Sequence, residues 1–74
     1  MTARQTAPRF KVGDSVRIAS SIHTRFSGLT GVVIQVTRNR HSQTLDKYVI
    51  RFNNPDPDQN TFWDIEIGFD PDSN

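Results

Sequence analysis

The chain has 74 residues, no cysteine and a formal net charge of +1 at pH 7. This length predicts one small domain, and the lack of cysteine excludes disulfides and thiolate metal sites. No apolar run approaches the roughly 20 residues that span a bilayer, and the N-terminal stretch lacks the apolar core of a secretory signal. We therefore expect a soluble, cytoplasmic domain with a small core.

The net charge conceals a division along the chain. Residues 1–52 carry nine Lys or Arg and two acids, a charge of +7, whereas residues 53–74 carry six acids and no Lys or Arg, a charge of −6. A basic half can attract an anionic partner. Alternatively, the two halves attract each other and their fields largely cancel. The sequence leaves both alternatives open.

The first part of the chain predicts an arm followed by one strand. Residues 1–9 are polar without a period and are expected to form a disordered arm. Phe10–Ala19 contains the turn-forming pair Gly13-Asp14 and then alternates apolar with polar residues, which predicts a half-buried strand. Residues 20–25 are expected to form a loop.

The central stretch is Phe26–Val36, FSGLTGVVIQV. Gly28 and Gly31 predict a tight turn in which the backbone reaches positive φ or approaches another strand closely. A β-branched run follows and predicts a twisted central strand. Its period-2 pattern places three apolar residues on one face: Val32, Ile34 and Val36.

The second half of the chain predicts two more strands. Arg38–Asp46 lacks an apolar period and predicts a long hairpin loop before the strand Lys47–Phe52. Asn53–Asn60 is rich in Pro, Asn and Asp and is expected to exclude regular structure. Thr61–Ile67 predicts the last strand. Its alternation places Trp63, Ile65 and Ile67 in the core and Phe62, Asp64 and Glu66 on the solvated face.

These elements predict an all-β fold of four to five short antiparallel strands. No segment carries a helical stripe, and a closed barrel protects strand edges better than an open sheet does. The expected organisation is a flexible arm at 1–9, a barrel at 10–69 and an acidic tail at 70–74.

A series of short motifs runs along the chain: Phe10, Gly13, Asp14, Val16, Arg17 and Ile18, then His23-Thr24-Arg25, then Gly28 and Gly31, then Tyr48, Ile50 and Phe52. These motifs resemble those of SH3-like small barrels. The resemblance is most detailed for the electron-transport-accessory type, which includes the C-terminal domain of the nitrile hydratase β subunit and the PsaE subunit of photosystem I. It implies a non-catalytic barrel that docks on a larger enzyme or redox complex.

Two departures limit what this resemblance implies. The nitrile hydratase β chain has a long helical N-terminal region and its metal is held by cysteines of the other subunit, and neither feature is found in this sequence. Hydratase activity is therefore not implied. A second resemblance is to the KOW module, whose core is similar to Phe26–Val33. It implies contacts with RNA or protein through basic loops.

No residue pattern predicts catalysis. The histidines fall in predicted loops, the carboxylates fall in a turn or on a solvated face, and no metal-ligand spacing or phosphate-binding loop is found. A barrel of this size has a filled interior. We therefore expect no enzymatic activity, no cofactor, no metal and no small-molecule substrate.

The hairpin loop is the strongest candidate for partner binding. Arg38, Arg40, His41 and Lys47 concentrate positive charge there, and arginine suits phosphate and carboxylate groups alike. Binding residues often lie on loops of a rigid scaffold. The alternative is a solvated hairpin without a partner.

Three further residues are candidates for partner contacts. His23 and Arg25 are expected on the barrel rim, where they contact a partner or alternatively hold the loop by hydrogen bonds. Phe62 is expected to be exposed between acidic side chains, which suits a protein partner.

Two functions remain in competition. The first is a non-catalytic protein-docking module, such as a small accessory subunit of a larger enzyme or redox complex. The alternative is a KOW-type module that binds RNA or DNA through the basic hairpin loop. No membrane association is expected.

Overall fold

The computed structural model describes residues 7–20, 25–53 and 57–71, and within them it is an all-β domain. One antiparallel sheet has the strand order β4-β3-β2-β1-β5. Two single turns of 3-10 helix, Gln43–Leu45 and Asp64–Glu66, precede β3 and β5. The strands are β1 (Ser15–Ile18), β2 (Thr30–Thr37), β3 (Lys47–Phe52), β4 (Asp58–Trp63) and β5 (Ile67–Phe69).

The predicted fold class is confirmed. Five short antiparallel strands curl around one core, and this architecture is compatible with an SH3-like small barrel. None of the described residues forms a helix long and apolar enough to cross a membrane.

The core is a cluster of aromatic and β-branched side chains. The Phe26 ring stacks on the Phe52 ring with centroids 4.7 Å apart, and Phe62 meets both rings edge-on. Such pairs add stability beyond the buried apolar area. The buried apolar residues are Phe10, Val16, Ile18, Phe26, Val33, Tyr48, Ile50, Phe52, Phe62 and Ile67.

A β-bulge interrupts β2, so the predicted single face of Val32, Ile34 and Val36 is not formed. Val33 pairs with Ile50, but the next pair is Gln35 with Val49, so Ile34 is an extra residue. An extra residue reverses which alternate side chains point inward. Val33 before the bulge is therefore fully buried and Val36 after it packs against the core, whereas Val32 is exposed. The prediction that Val32 and Val36 share one face is wrong. At Ile34 the alternation of inward and outward side chains therefore shifts by one residue, whereas the sequence pattern assumes an unbroken period of two.

The prediction of one continuous last strand over Thr61–Ile67 is wrong. β4 begins at Asp58, within the segment expected to lack regular structure, and ends at Trp63. The 3-10 turn Asp64–Glu66 then separates it from β5. A 3-10 turn has three residues per turn, so the period-2 alternation fails there. Ile67 is buried as predicted, whereas Trp63 and Ile65 are exposed.

The predicted roles of the two central glycines are confirmed. Gly28 has φ +76°, a conformation that side chains rarely adopt. A Cβ atom on Gly31 would lie 2.5 Å from Ile50 Cγ2 and 2.6 Å from the Arg51 carbonyl oxygen. Gly31 therefore allows β2 and β3 to approach, and the backbone oxygen has little freedom to retreat.

Replacing Gly31 by alanine tests this close approach. We expect G31A to lower the free energy of unfolding by about 1–3 kcal/mol or more, because the new methyl group overpacks the β2–β3 contact. The matched control is G68A, since a Cβ atom there meets nothing within 4 Å. Urea denaturation followed by Trp63 fluorescence measures both. Equal effects of the two substitutions would contradict the packing argument.

Candidate functional site

Ion pairs connect the basic and acidic halves of the chain. The Arg9 Nε atom lies 2.9 Å from Asp64 Oδ2, and the Arg17 guanidinium lies 3.7 Å from Asp70 Oδ1. The Arg25 guanidinium also pairs with the Asp58 carboxylate. The charge division along the sequence is therefore in part an internal arrangement, and the alternative of mutual attraction is supported.

Arg9 belongs to the packed domain. Besides Asp64, its Nη2 donates to the backbone carbonyls of Asp64 (2.8 Å) and Ile67 (2.9 Å). Its guanidinium also lies 4.6 Å from the centre of the Phe10 ring. These contacts fix the end of the predicted arm to the second 3-10 turn. Residues 1–6 lie outside the described residues.

The predicted basic hairpin is organised around one buried carboxylate. Asp46 is 0% exposed; Oδ2 accepts from Arg38 Nε at 3.0 Å, and Oδ1 accepts from the Asn39 amide at 2.7 Å. Arg38 therefore helps to close the loop. Arg40 and His41 are exposed, and no carboxylate among the described residues forms an ion pair with either. Of the four predicted hairpin cations, these two keep their side chains directed to solvent.

Of the two predicted rim residues, the structure describes only Arg25. His23 lies outside the described residues. Arg25 pairs with Asp58, and its guanidinium lies 4.6 Å from the centre of the Phe26 ring. These contacts hold the loop before β2 against β4, whereas the structural alternative considered for Arg25 was hydrogen bonding to loop carbonyls.

The prediction that Phe62 is exposed on the solvated face is wrong. Its side chain is only 3% exposed, and it packs edge-on against Phe26 and Phe52. The pairing of β4 with β3 places Phe62 opposite the buried Tyr48. Residues opposite each other point to the same side of a sheet. Phe62 therefore faces the core.

The same register places other apolar side chains on the outer surface. Trp63 is paired with Lys47, and the register continues one step further because the Asp64 amide donates to the Asp46 carbonyl at 2.9 Å. Both aspartates are buried, so the residues beyond them, Leu45 and Ile65, turn outward. Trp63, Leu45 and Ile65 are 41%, 45% and 69% exposed. We call these three residues the outer apolar patch.

Lys47 belongs to this surface. Its Nζ lies 5.0 Å from the centre of the Trp63 ring, which is a cation–π contact. The ammonium group therefore covers part of one face of the indole ring. This contact restrains the Trp63 side chain and leaves the rest of the ring accessible.

Tyr48 carries the one titratable group with a resolved shift in the described residues. Burial raises the pKa of its hydroxyl, and the carboxylates of Asp64 and Asp46 raise it further. The nearby backbone of Phe10 and Arg9 lowers the pKa, but no described residue completes a hydrogen bond of good geometry with the hydroxyl. The hydroxyl is enclosed in the core and is not placed for proton transfer to a substrate.

The described residues contain no cluster of metal-ligating side chains. No three His, Cys, Asp or Glu side chains among them are placed to hold a metal ion. A shallow, open depression is lined by Arg51, Asn53, Pro57, Asp58 and Gln59. The absence of catalytic function stays a prediction.

Comparisons with protein-family models, with curated proteins and with solved structures each found no match.

Replacing Arg9 by alanine tests whether it is part of the packed domain. We expect R9A to lower the free energy of unfolding by about 2–3 kcal/mol, because it removes hydrogen bonds to a charged group and leaves Asp64 buried without its cation. The matched control is R40A, with an expected change within about 0.5 kcal/mol, since Arg40 is exposed. Chemical denaturation measures both. A small effect of R9A would contradict the structural role.

The raised pKa of Tyr48 predicts an alkaline loss of stability. A hydroxyl whose pKa is higher in the folded state stabilises the fold below its unfolded pKa of about 10. That contribution is lost as the pH rises through the folded pKa. We expect the free energy of unfolding to fall above about pH 10, and Y48F to remove the part of the fall that belongs to this group. Tyrosinate absorbance reports the ionisation, since Tyr48 is the only tyrosine. An ordinary midpoint near pH 10 in the folded protein would contradict the raised pKa.

Proposed function

We propose that this chain is a non-catalytic protein-docking module and that it binds its partner through the outer apolar patch. The observation that carries the proposal is the outward placement of Leu45, Trp63 and Ile65 at one end of the β3–β4 pair. Large apolar side chains clustered on a small domain typically mark an interaction surface. Tryptophan beside aliphatic residues is a frequent composition of a protein–protein contact.

The charge arrangement favours a protein over a nucleic acid. Non-specific binding of nucleic acid depends on Lys and Arg that neutralise phosphates. Here Arg9, Arg17, Arg25 and Arg38 are paired with carboxylates of the same chain. The aliphatic side chains of the patch also gain nothing from a sugar-phosphate backbone.

The finer form of the proposal is an accessory subunit of a larger enzyme or redox complex. It rests on the motifs shared with electron-transport-accessory barrels, and the compatible strand architecture agrees with it. In this role the barrel contributes no catalytic group. Its partner supplies an apolar surface that covers Trp63, Leu45 and Ile65.

A KOW-type nucleic-acid function is the second candidate. Arg40 and His41 support it, because both are exposed on the hairpin loop without a carboxylate partner among the described residues. This function requires binding that weakens steeply with salt, owing to counterion release. The R40A/H41A variant weakens that binding and leaves protein docking unchanged.

The patch can be tested by adding charge to it. We expect L45E/I65E to abolish capture of protein partners from native lysate while the free energy of unfolding changes by less than about 0.5 kcal/mol, because both side chains are exposed. The matched control is V12E. Val12 is 62% exposed and lies in the turn before β1, so this variant should retain capture.

Nuclease treatment separates the two candidate functions. Partners that survive nuclease and are lost in L45E/I65E support docking through the patch. Partners that are lost with nuclease, and that depend on Arg40 and His41, support nucleic-acid binding instead. Equal capture by the wild type and L45E/I65E would overturn the assignment of the patch.

A further inference from the structure

The strand β4 (Asp58–Trp63) lies at one edge of the sheet, and no strand of the described residues pairs with its outer side. An unpaired edge presents a row of backbone amides and carbonyls that can pair with another chain. Six residues form a substantial edge for a 74-residue domain. The hydrogen-bond partners of its outward backbone groups therefore indicate whether this edge can pair with another strand.

The register identifies the backbone groups that face outward. In an antiparallel pair, directly opposed residues alternate between hydrogen-bonded and non-hydrogen-bonded pairs. The Asp64 amide donates to the Asp46 carbonyl, which places that pair in the hydrogen-bonded class. Counting back along β4, the amides that point away from β3 belong to Gln59, Thr61 and Trp63.

Each of these three amides donates to a side-chain oxygen of the same chain. Asp58 Oδ1 accepts from Gln59, Asn60 Oδ1 accepts from Thr61, and Glu66 Oε1 accepts from Trp63, each at 2.8 Å. The Glu66 contact also closes the turn after β4. The contacts of Asp58 and Asn60 belong to no helical turn, and they fall only on outward amides.

We propose that Asp58, Asn60 and Glu66 close the outer edge of β4 against strand pairing with a second copy of this chain. When a side-chain oxygen occupies the amide, an incoming carbonyl must first displace it. Three occupied amides at alternate positions leave the edge without free donors.

A second copy fits this edge because the edge is complementary to itself. If two β4 strands pair antiparallel about Thr61, then Gln59 of each lies opposite Trp63 of the other. Every outward amide then meets an outward carbonyl, and the outer faces of the two sheets become continuous. That arrangement would also place the Gln59 side chain of the second copy beside Trp63, at the margin of the outer apolar patch. The closed edge therefore keeps the outer apolar patch available, and this consequence rests on the proposed docking function.

The test removes the side-chain acceptors of Asn60 and Glu66 and compares a variant that keeps an acceptor at both positions. In N60A/E66A the amides of Thr61 and Trp63 lose their acceptors, whereas N60D/E66Q keeps an oxygen at both positions. Sedimentation velocity over a concentration series measures self-association. We expect N60A/E66A to associate more tightly than the wild type by at least about tenfold, the factor given by about 1.4 kcal/mol. N60D/E66Q should sediment as the wild type does.

A third variant locates the association. Adding T61P to N60A/E66A should restore the monomer, because proline has no amide hydrogen and is tolerated where an edge amide faces away from its neighbour. Amide hydrogen exchange provides a readout that does not need a dimer. Thr61 should exchange faster in N60A than in N60D.

Several outcomes would overturn the proposal. These are a monomeric N60A/E66A with native circular dichroism, a dimer that persists after T61P is added, and a wild type that already pairs through this edge. Partner capture by L45E/I65E is measured separately. The docking function can therefore fail while the closed edge stands, and the reverse also holds.

Discussion

The outward placement of the candidate docking surface depends on two buried carboxylates. Asp46 and Asp64 continue the β3–β4 register inward, where each is almost fully shielded from solvent. Burying a carboxylate is costly unless a cation and hydrogen bonds accompany it. Arg38 and Arg9 supply the cations, and the Asn39 amide supplies a further hydrogen bond to Asp46. Because the aspartates point inward, the apolar side chains beside them point outward.

This arrangement explains the division of charge along the sequence. The basic first part and the acidic last part meet across the fold, and Arg9 reaches Asp64 from 55 residues away. A pair with one buried member restrains both segments more than an exposed pair does, since exposed pairs contribute little. Part of the charge that suggested a polyanionic partner is therefore used in ion pairs within the domain. Arg40 is exposed and has no carboxylate partner among the described residues.

The class of fold and the roles of the central glycines could be predicted from the sequence, whereas the facing of Phe62, Trp63 and Ile65 could not. Periodicity identified β1, β2 and β3, because each is bounded by turn-forming residues and alternates over several positions. It failed at Ile34, where a bulge changes the phase, and at Asp64, where the rule that acids mark the solvated face put Asp64 outside and Trp63 inside. Neither has a local marker: Ile34 stands within a β-branched run, and Asp64 follows the same alternation as its neighbours. The cation that stabilises Asp64 lies at the other end of the chain, and local patterns contain no information about such a partner.

In the proposed docking function, the face and the edge of the same strand make complementary contributions to recognition. The outer face of β4 presents Trp63 and is continued by Ile65, and both side chains are available to a partner. The outer edge of β4 has its amides occupied by Asp58, Asn60 and Glu66. Strand addition depends on backbone groups that are common to all sequences, whereas docking on side chains depends on their shape and chemistry. A closed edge beside an open face therefore favours a partner selected by side chains and disfavours generic pairing of strands.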